Sequence, residues 1–201
     1  MQPDSKKYIL YIYIPAKIGV EEHHIGVYAS KSDGHMVKAK HPKGLLHGSP
    51  VSASIAAAIM NGKYVNAVPL YRLEQEFQRN NIFITRKTMA YWMIRLAEDY
   101  LGVMYDYLHA KLYGYHVIQA DETPCLVNKD GREAGSKSYM WVYRSGHLYA
   151  DKQIVLYDYQ KTRNASHPRS FLKDFSGICV TDGYQVYHTV EKQLEDLTIA
   201  G

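Results

Sequence analysis

The chain has 201 residues, 46% hydrophobic and 22% charged, with a formal net charge of +4, an ordinary balance for a soluble globular chain of one or two domains with a sizeable core. Its two cysteines, Cys125 and Cys179, lack the Cys-x-x-Cys spacing of a zinc site and fit a reduced, cytosolic setting. No run approaches the roughly 18 apolar residues of a membrane-spanning helix.

The charge is unevenly placed. Residues 1–66 carry eight Lys and four acids, 67–116 carry six basic and five acidic side chains, and 117–201 carry ten and eleven. The whole excess therefore lies in the front of the chain, as suits a protein that grips phosphates with one part and cations with another. A solvated Lys-rich surface gives the same count.

In chain order, Tyr8 to Ile14 reads as a strand ending at Pro15, and 23–29 as a second short strand. Lys6-Lys7 ahead of that apolar run has the outline of a signal peptide, but Pro15 and the lack of a small-residue cleavage site argue against one. Residues 30–49 read as a loop. Five histidines (His23, His24, His35, His41, His47) lie in this region without the paired spacing of a metal site.

Pro50 to Asn61 is a helical pattern with Ser49 as its expected cap and Pro50 at the first turn. Leu70 to Asn80 is a second helix, with Leu70, Leu73 and Phe77 on one face. After a tight connector, Thr85 is expected to cap a long helix running to about Tyr113, with the stripe Met89, Met93, Leu96, Tyr100, Met104, Leu108 and Leu112. The two helices resemble a helix-turn-helix. Its second helix opens on Arg86, Lys87 and Thr88, side chains suited to phosphates or base edges. An ordinary helical hairpin with a soluble first turn is the alternative.

From His116 onward the pattern changes to strands. The runs are 116–121, 139–143 and 153–159, then a helical pattern 167–175, a strand at 177–182, and a last helix from Tyr184 to about Leu197. Asn128 to Ser138 is a polar hairpin tip or loop. Asp121 and Asp182 are read as ending the first and last strands, where sheet proteins place ligand chemistry. Each alone is an ordinary turn opener, in Asp-Glu-Thr-Pro and Asp-Gly. Together on adjacent strands they would repel unless a divalent cation or a proton sat between them. Hard oxygen ligands select Mg²⁺ or Mn²⁺, the ions of phosphoryl transfer. Glu122 follows Asp121 directly and would point to the opposite face of an extended strand. Glu191 and Glu195 are local alternatives for a further ligand. Arg163 and Arg169, after the third strand of this set, could approach substrate phosphates, with surface solvation the equal alternative.

Five blocks in order carry a resemblance: Ala120-Asp-Glu-Thr-Pro124, Tyr139-Met-Trp-Val-Tyr143, Ile154-Val-Leu-Tyr-Asp-Tyr159, His167-Pro-Arg-Ser-Phe-Leu172 and Val180-Thr-Asp-Gly-Tyr184. The chain resembles the transposases of the insertion-sequence-66 family, from about Pro15 onward. The resemblance implies an α/β fold with an incomplete RNase-H-like mixed sheet over 116–201. Ahead of it come a helical, helix-turn-helix-like DNA-binding region over 49–115 and a small β segment over 1–48. In the family that front segment carries a zinc module built on Cys pairs, which this sequence lacks.

The resemblance further implies an Asp-Asp-Glu enzyme that cuts and joins DNA, with Asp121 and Asp182 as catalytic residues and ligands of Mg²⁺ or Mn²⁺. The third acid is expected beyond Gly201, so that the chain alone is inactive. DNA partners (element ends and target), a homo-oligomer on DNA and a bacterial cytoplasmic, nucleoid-associated setting follow from the same resemblance. Two other readings stay open: a non-catalytic DNA-binding relative, and an unrelated metal-dependent phosphoesterase using the same acids.

Overall fold

Two units divide the chain, residues 1–95 and 96–201. The computed structural model describes residues 10–13, 17–40, 43–127, 130–133 and 135–201. Of the strand predicted over 8–14, residues 8, 9 and 14 lie outside the described residues, and 10–13 carry no strand. His41, Asn128, Lys129 and Ala134 lie outside them as well.

Among the described residues, the first elements of the first unit are a hairpin, β1 (Val27–Ala29) and β2 (Met36–Lys38), paired antiparallel. β2 was expected to be loop. Its three residues follow a turn closed by Ser30 and Gly34, the glycine taking φ 71°, a conformation that costs glycine little. Helix α1 (Ala53–Met60) starts later than predicted. Its cap is Ser52, whose hydroxyl accepts the Ile55 N–H at 3.3 Å, not Ser49. A π-helical turn, Asn61–Val65, follows, and buried Gly62 lets Leu73 of the next helix close in. Helix α2 (Leu70–Arg79) buries Leu73 and Phe77, and α3 (Arg86–Leu96) buries Met89, Trp92 and Met93. Thr85 caps α3 as expected, its Oγ1 accepting the Thr88 N–H at 3.1 Å.

The long helix predicted to Tyr113 is present as α3, a π-helical turn at Ala97–Leu101, and α4 (Gly102–Leu112). The predicted stripe breaks at that turn. Tyr100 and Met104 are exposed, while Leu112 is fully buried.

The second unit is mixed α/β, built on a five-stranded mixed sheet. Its strands are β3 (Val117–Leu126), β4 (Lys137–Ser145), β5 (Val155–Gln160), β6 (Gly177–Val180) and β7 (Leu197–Ala200), in the spatial order β5-β4-β3-β6-β7. β3, β4 and β5 form an antiparallel meander, whereas β6 and β7 run parallel to β3. Helices α5 (Ser166–Phe171) and α6 (Gln185–Glu191) make the β5–β6 and β6–β7 crossovers.

Alternation decides which face is core. Ile118, Ala120, Trp141, Tyr143, Leu156, Cys179, Leu197 and Ile199 are buried with Phe171, Leu172, Tyr187 and Val190. Tyr143 stacks on Phe171 with ring centroids 3.5 Å apart. The expected last helix stops at Glu191, and Leu197–Ala200 is a strand. Its period is two: Leu197 and Ile199 face in, Thr198 and Ala200 out.

Candidate functional site

Asp121 is not at the end of its strand. β3 continues to Leu126, paired through to Lys137 of β4. Pro124 does not stop it, because beyond Gln119 β3 has a neighbour on one side only, and Pro is tolerated on such an edge. The β3–β6 ladder ends at Gln119 opposite Val180. Asp121 lies two residues further along β3, and Asp182 two residues past the end of β6, each beyond the point where the ladder stops. By strand parity Asp121 lies on the face opposite Ile118 and Ala120. Both aspartates are exposed.

Their near partners are backbone amides. Asp121 Oδ1 accepts the Glu122 N–H at 2.8 Å, and Asp182 Oδ1 accepts the Tyr184 N–H at 3.1 Å. Gly183 makes that turn with φ 79°. Among the described residues neither carboxylate has a cationic partner, and no three His, Cys, Asp or Glu side chains gather as a metal-holding group.

Glu122 behaves quite differently. Its side chain is fully buried on the core face. Oε1 accepts Nε of Arg163 at 2.7 Å and is also bonded by Nη2 of Arg163. Oε2 accepts the Tyr187 hydroxyl at 2.8 Å. The Arg163 guanidinium lies 3.6 Å from the Tyr184 ring centroid. Burial and the Glu122 carboxylate push the Tyr187 phenol far above its ordinary range, so it serves as a donor at every working pH. Arg163, read from sequence as a phosphate contact, is thus engaged within the fold. Arg169 is exposed, with Nη1 donating to Gln193 Oε1 at 3.3 Å.

The local alternatives for a further ligand are placed elsewhere. Glu191 Oε1 accepts the Ile199 N–H of β7 at 2.7 Å. Glu195 precedes β7, which runs parallel to β6, whereas Asp182 follows β6. Glu195 therefore stands at the other end of these strands. Cys179 is fully buried, and burial pushes its thiol up to about 12, which removes it as a nucleophile at neutral pH.

In the first unit, α2 and α3 form an open cleft of about 480 Å³ lined by Tyr71, Glu74, Gln75, Gln78, Thr85, Arg86 and Lys87. Arg86 lies over the Tyr71 ring, 5.9 Å from its centroid. Arg86 and Lys87 are exposed in the first turn of α3. Thr88 is half-buried, its hydroxyl 2.9 Å from that of Thr85. Tyr71 and Gln75 joined this surface without a sequence signal beyond their spacing of four, which a hydrogen bond at 2.9 Å uses.

A family model described as "Transposase IS66 family" matches residues 48–200. Two relatives come from Sinorhizobium fredii (strain NBRC 101917 / NGR234). Uncharacterized protein y4qI is 29% identical over 168 residues, covering 82% of this chain and 31% of its own length. Uncharacterized protein y4jD is 26% identical over 187 residues, covering 89% and 36%. The chain thus spans about a third of the length of these curated relatives.

Proposed function

The chain belongs to the IS66 family of transposases, and from that premise we propose that it carries the first two acids of a metal-dependent DNA strand-cleavage and strand-transfer site, with a DNA-gripping helix pair ahead of it. The observation that carries this is the register: β3 and β6 are parallel neighbours, and Asp121 and Asp182 each follow the last pair, Gln119–Val180, by two residues. The sheet order, a three-stranded meander followed by two parallel crossover strands, supports an RNase-H-like core. DNA is the partner, and assembly as a homo-oligomer on DNA belongs to the same reading.

The two aspartates fit Mg²⁺ or Mn²⁺ as far as they go. Both are exposed hard oxygen donors held by backbone N–H groups, and Mg²⁺ is commonly held by one or two carboxylates and several waters. Such an ion supplies activation of the attacking oxygen and neutralisation of charge on the phosphate. The chain's own part is to present the two carboxylates just past the last β3–β6 pair and to keep Glu122 apart from them, on the core face.

The experiment is a Mn²⁺ titration of the chain followed by electron paramagnetic resonance. One weak site is expected, lost in Asp121→Asn and in Asp182→Asn. Binding that survives both substitutions counts against the site.

For the helix pair, Arg86 and Lys87 act on phosphates. Replacing both with Ala should weaken binding to all DNA sequences alike. The slope of log affinity against log salt should become shallower by about two contacts, or about 1.8. An unchanged slope in a salt titration would remove this helix from the interface.

A further inference from the structure

The β3–β6 ladder stops at Gln119 and Val180, so the sheet itself does not fix the chain at Asp182 against the chain at Asp121. Another set of contacts does. Glu122 directly follows Asp121 and reaches into the core, where Arg163 and Tyr187 hold both of its oxygens. The Arg163 guanidinium lies over the Tyr184 ring, 3.6 Å from its centroid, and the Tyr184 hydroxyl donates to the Arg163 carbonyl at 3.4 Å. The Tyr184 N–H in turn holds Asp182 Oδ1. A continuous path thus runs Asp121–Glu122–Arg163–Tyr184–Asp182 through the second unit.

We infer that Glu122, Arg163 and Tyr184 form a positioning clamp that sets the Asp121 and Asp182 carboxylates relative to one another. This rests on the reading of those two aspartates as metal ligands. Stability alone gives little reason for the pair. The neighbouring core positions of β3 are Ile118 and Ala120, and replacing a buried ion pair with apolar side chains is often neutral or stabilising. What an apolar residue at 122 could not do is bind the β5–α5 connection to the start of α6 at a fixed distance. Outer groups that orient metal ligands commonly matter 10–100-fold for affinity.

Charge must be kept apart from position in testing this. Removing Glu122 alone leaves a cation beside the site, and removing Arg163 alone leaves an anion; either shifts cation affinity by electrostatics. The decisive variant is therefore the charge-neutral pair Glu122→Gln/Arg163→Met, with Tyr184→Leu and Arg163→Lys beside it. Lys keeps the charge but loses the forked hydrogen bonds and the planar group over the Tyr184 ring.

The assay is Mn²⁺ affinity of the 201-residue chain by electron paramagnetic resonance, with circular dichroism to show that each variant is folded. The pair variant should bind Mn²⁺ about tenfold more weakly than wild type, and Tyr184→Leu and Arg163→Lys several-fold more weakly. A folded pair variant with affinity within about twofold of wild type would overturn the clamp and leave Glu122–Arg163 a purely structural pair. Should the pair variant fail to fold, Tyr184→Leu and Arg163→Lys decide, since both retain the buried Glu122 carboxylate and a cation at position 163 beside it. If Asp121→Asn binds as wild type does, the aspartates are not ligands and the clamp falls with that reading. Loss in Asp121→Asn with unchanged clamp variants sinks the clamp alone.

Discussion

Arg163→Met is expected to destabilise the second unit by about 3 kcal/mol, the low end of what removing one partner of a buried ion pair costs. The effect is asymmetric because the two partners are unequally buried. The Glu122 side chain is fully buried, whereas that of Arg163 is 38% exposed. Without Arg163, the carboxylate keeps, among the described residues, the Tyr187 hydroxyl alone as a donor, inside a core that cannot solvate it. Without Glu122, the guanidinium can still turn to water and keep its place over the Tyr184 ring. Glu122→Gln alone should therefore cost about 1 kcal/mol, and adding it to Arg163→Met should recover roughly 2 kcal/mol. Trp141 reports this region directly, since it pairs with Glu122 across the β3–β4 ladder and its ring meets Tyr187 edge-on at 6.0 Å. Urea unfolding followed by Trp141 fluorescence in a Trp92→Phe background isolates the second unit. Equal losses for the Arg163 and Glu122 single variants would show that burial of the carboxylate is not the cause.

That pair also marks the limit of what the sequence discloses. The runs around Val117, Tyr139, Ile154 and Gly177 could be read as strands because β-branched and aromatic side chains are concentrated there, and all four are strands. The helix faces of Leu73, Phe77, Met89 and Met93 could be read from their spacing, and all four side chains are buried. The parity of Glu122 was equally legible: a residue next to Asp121 in a strand faces the other way. Its partner was not. Arg163 lies 41 residues downstream in a polar connection, and nothing local distinguishes it from a solvated cation.

β7 was missed for a related reason. Four residues with two inward side chains are too few to outweigh the helical pattern just before them, and only pairing with β6 selects the strand. Asp121 was placed at a strand end because Asp-Glu-Thr-Pro has turn chemistry. The β4 ladder, which continues through Pro124 to Leu126, overrides that local preference.

The second large effect concerns catalysis. The 201-residue chain is expected not to nick labelled element-end DNA with Mn²⁺, whereas a version extended through the downstream Glu implied by family resemblance should nick it. In the extended protein, Asp121→Asn or Asp182→Asn should each lower the rate by roughly 100-fold or more, since misplacement of about 1 Å already has that effect. The argument is one of ligand count and direction. Displacement at a phosphate requires ions fixed on both the attacking and the leaving oxygen, and two carboxylates leave a hydrated ion free to shift.

None of Glu122, Glu191 and Glu195 is placed to supply the third ligand. Glu122 is buried on the core face under Arg163, Glu191 is bonded to the Ile199 N–H of β7, and Glu195 stands at the opposite end of the strands from Asp182. Nicking by the short chain that disappears in Asp121→Asn would contradict this. It would require Glu191 to leave Ile199, which Glu191→Gln would then test: a parallel loss of nicking would identify it as the third ligand.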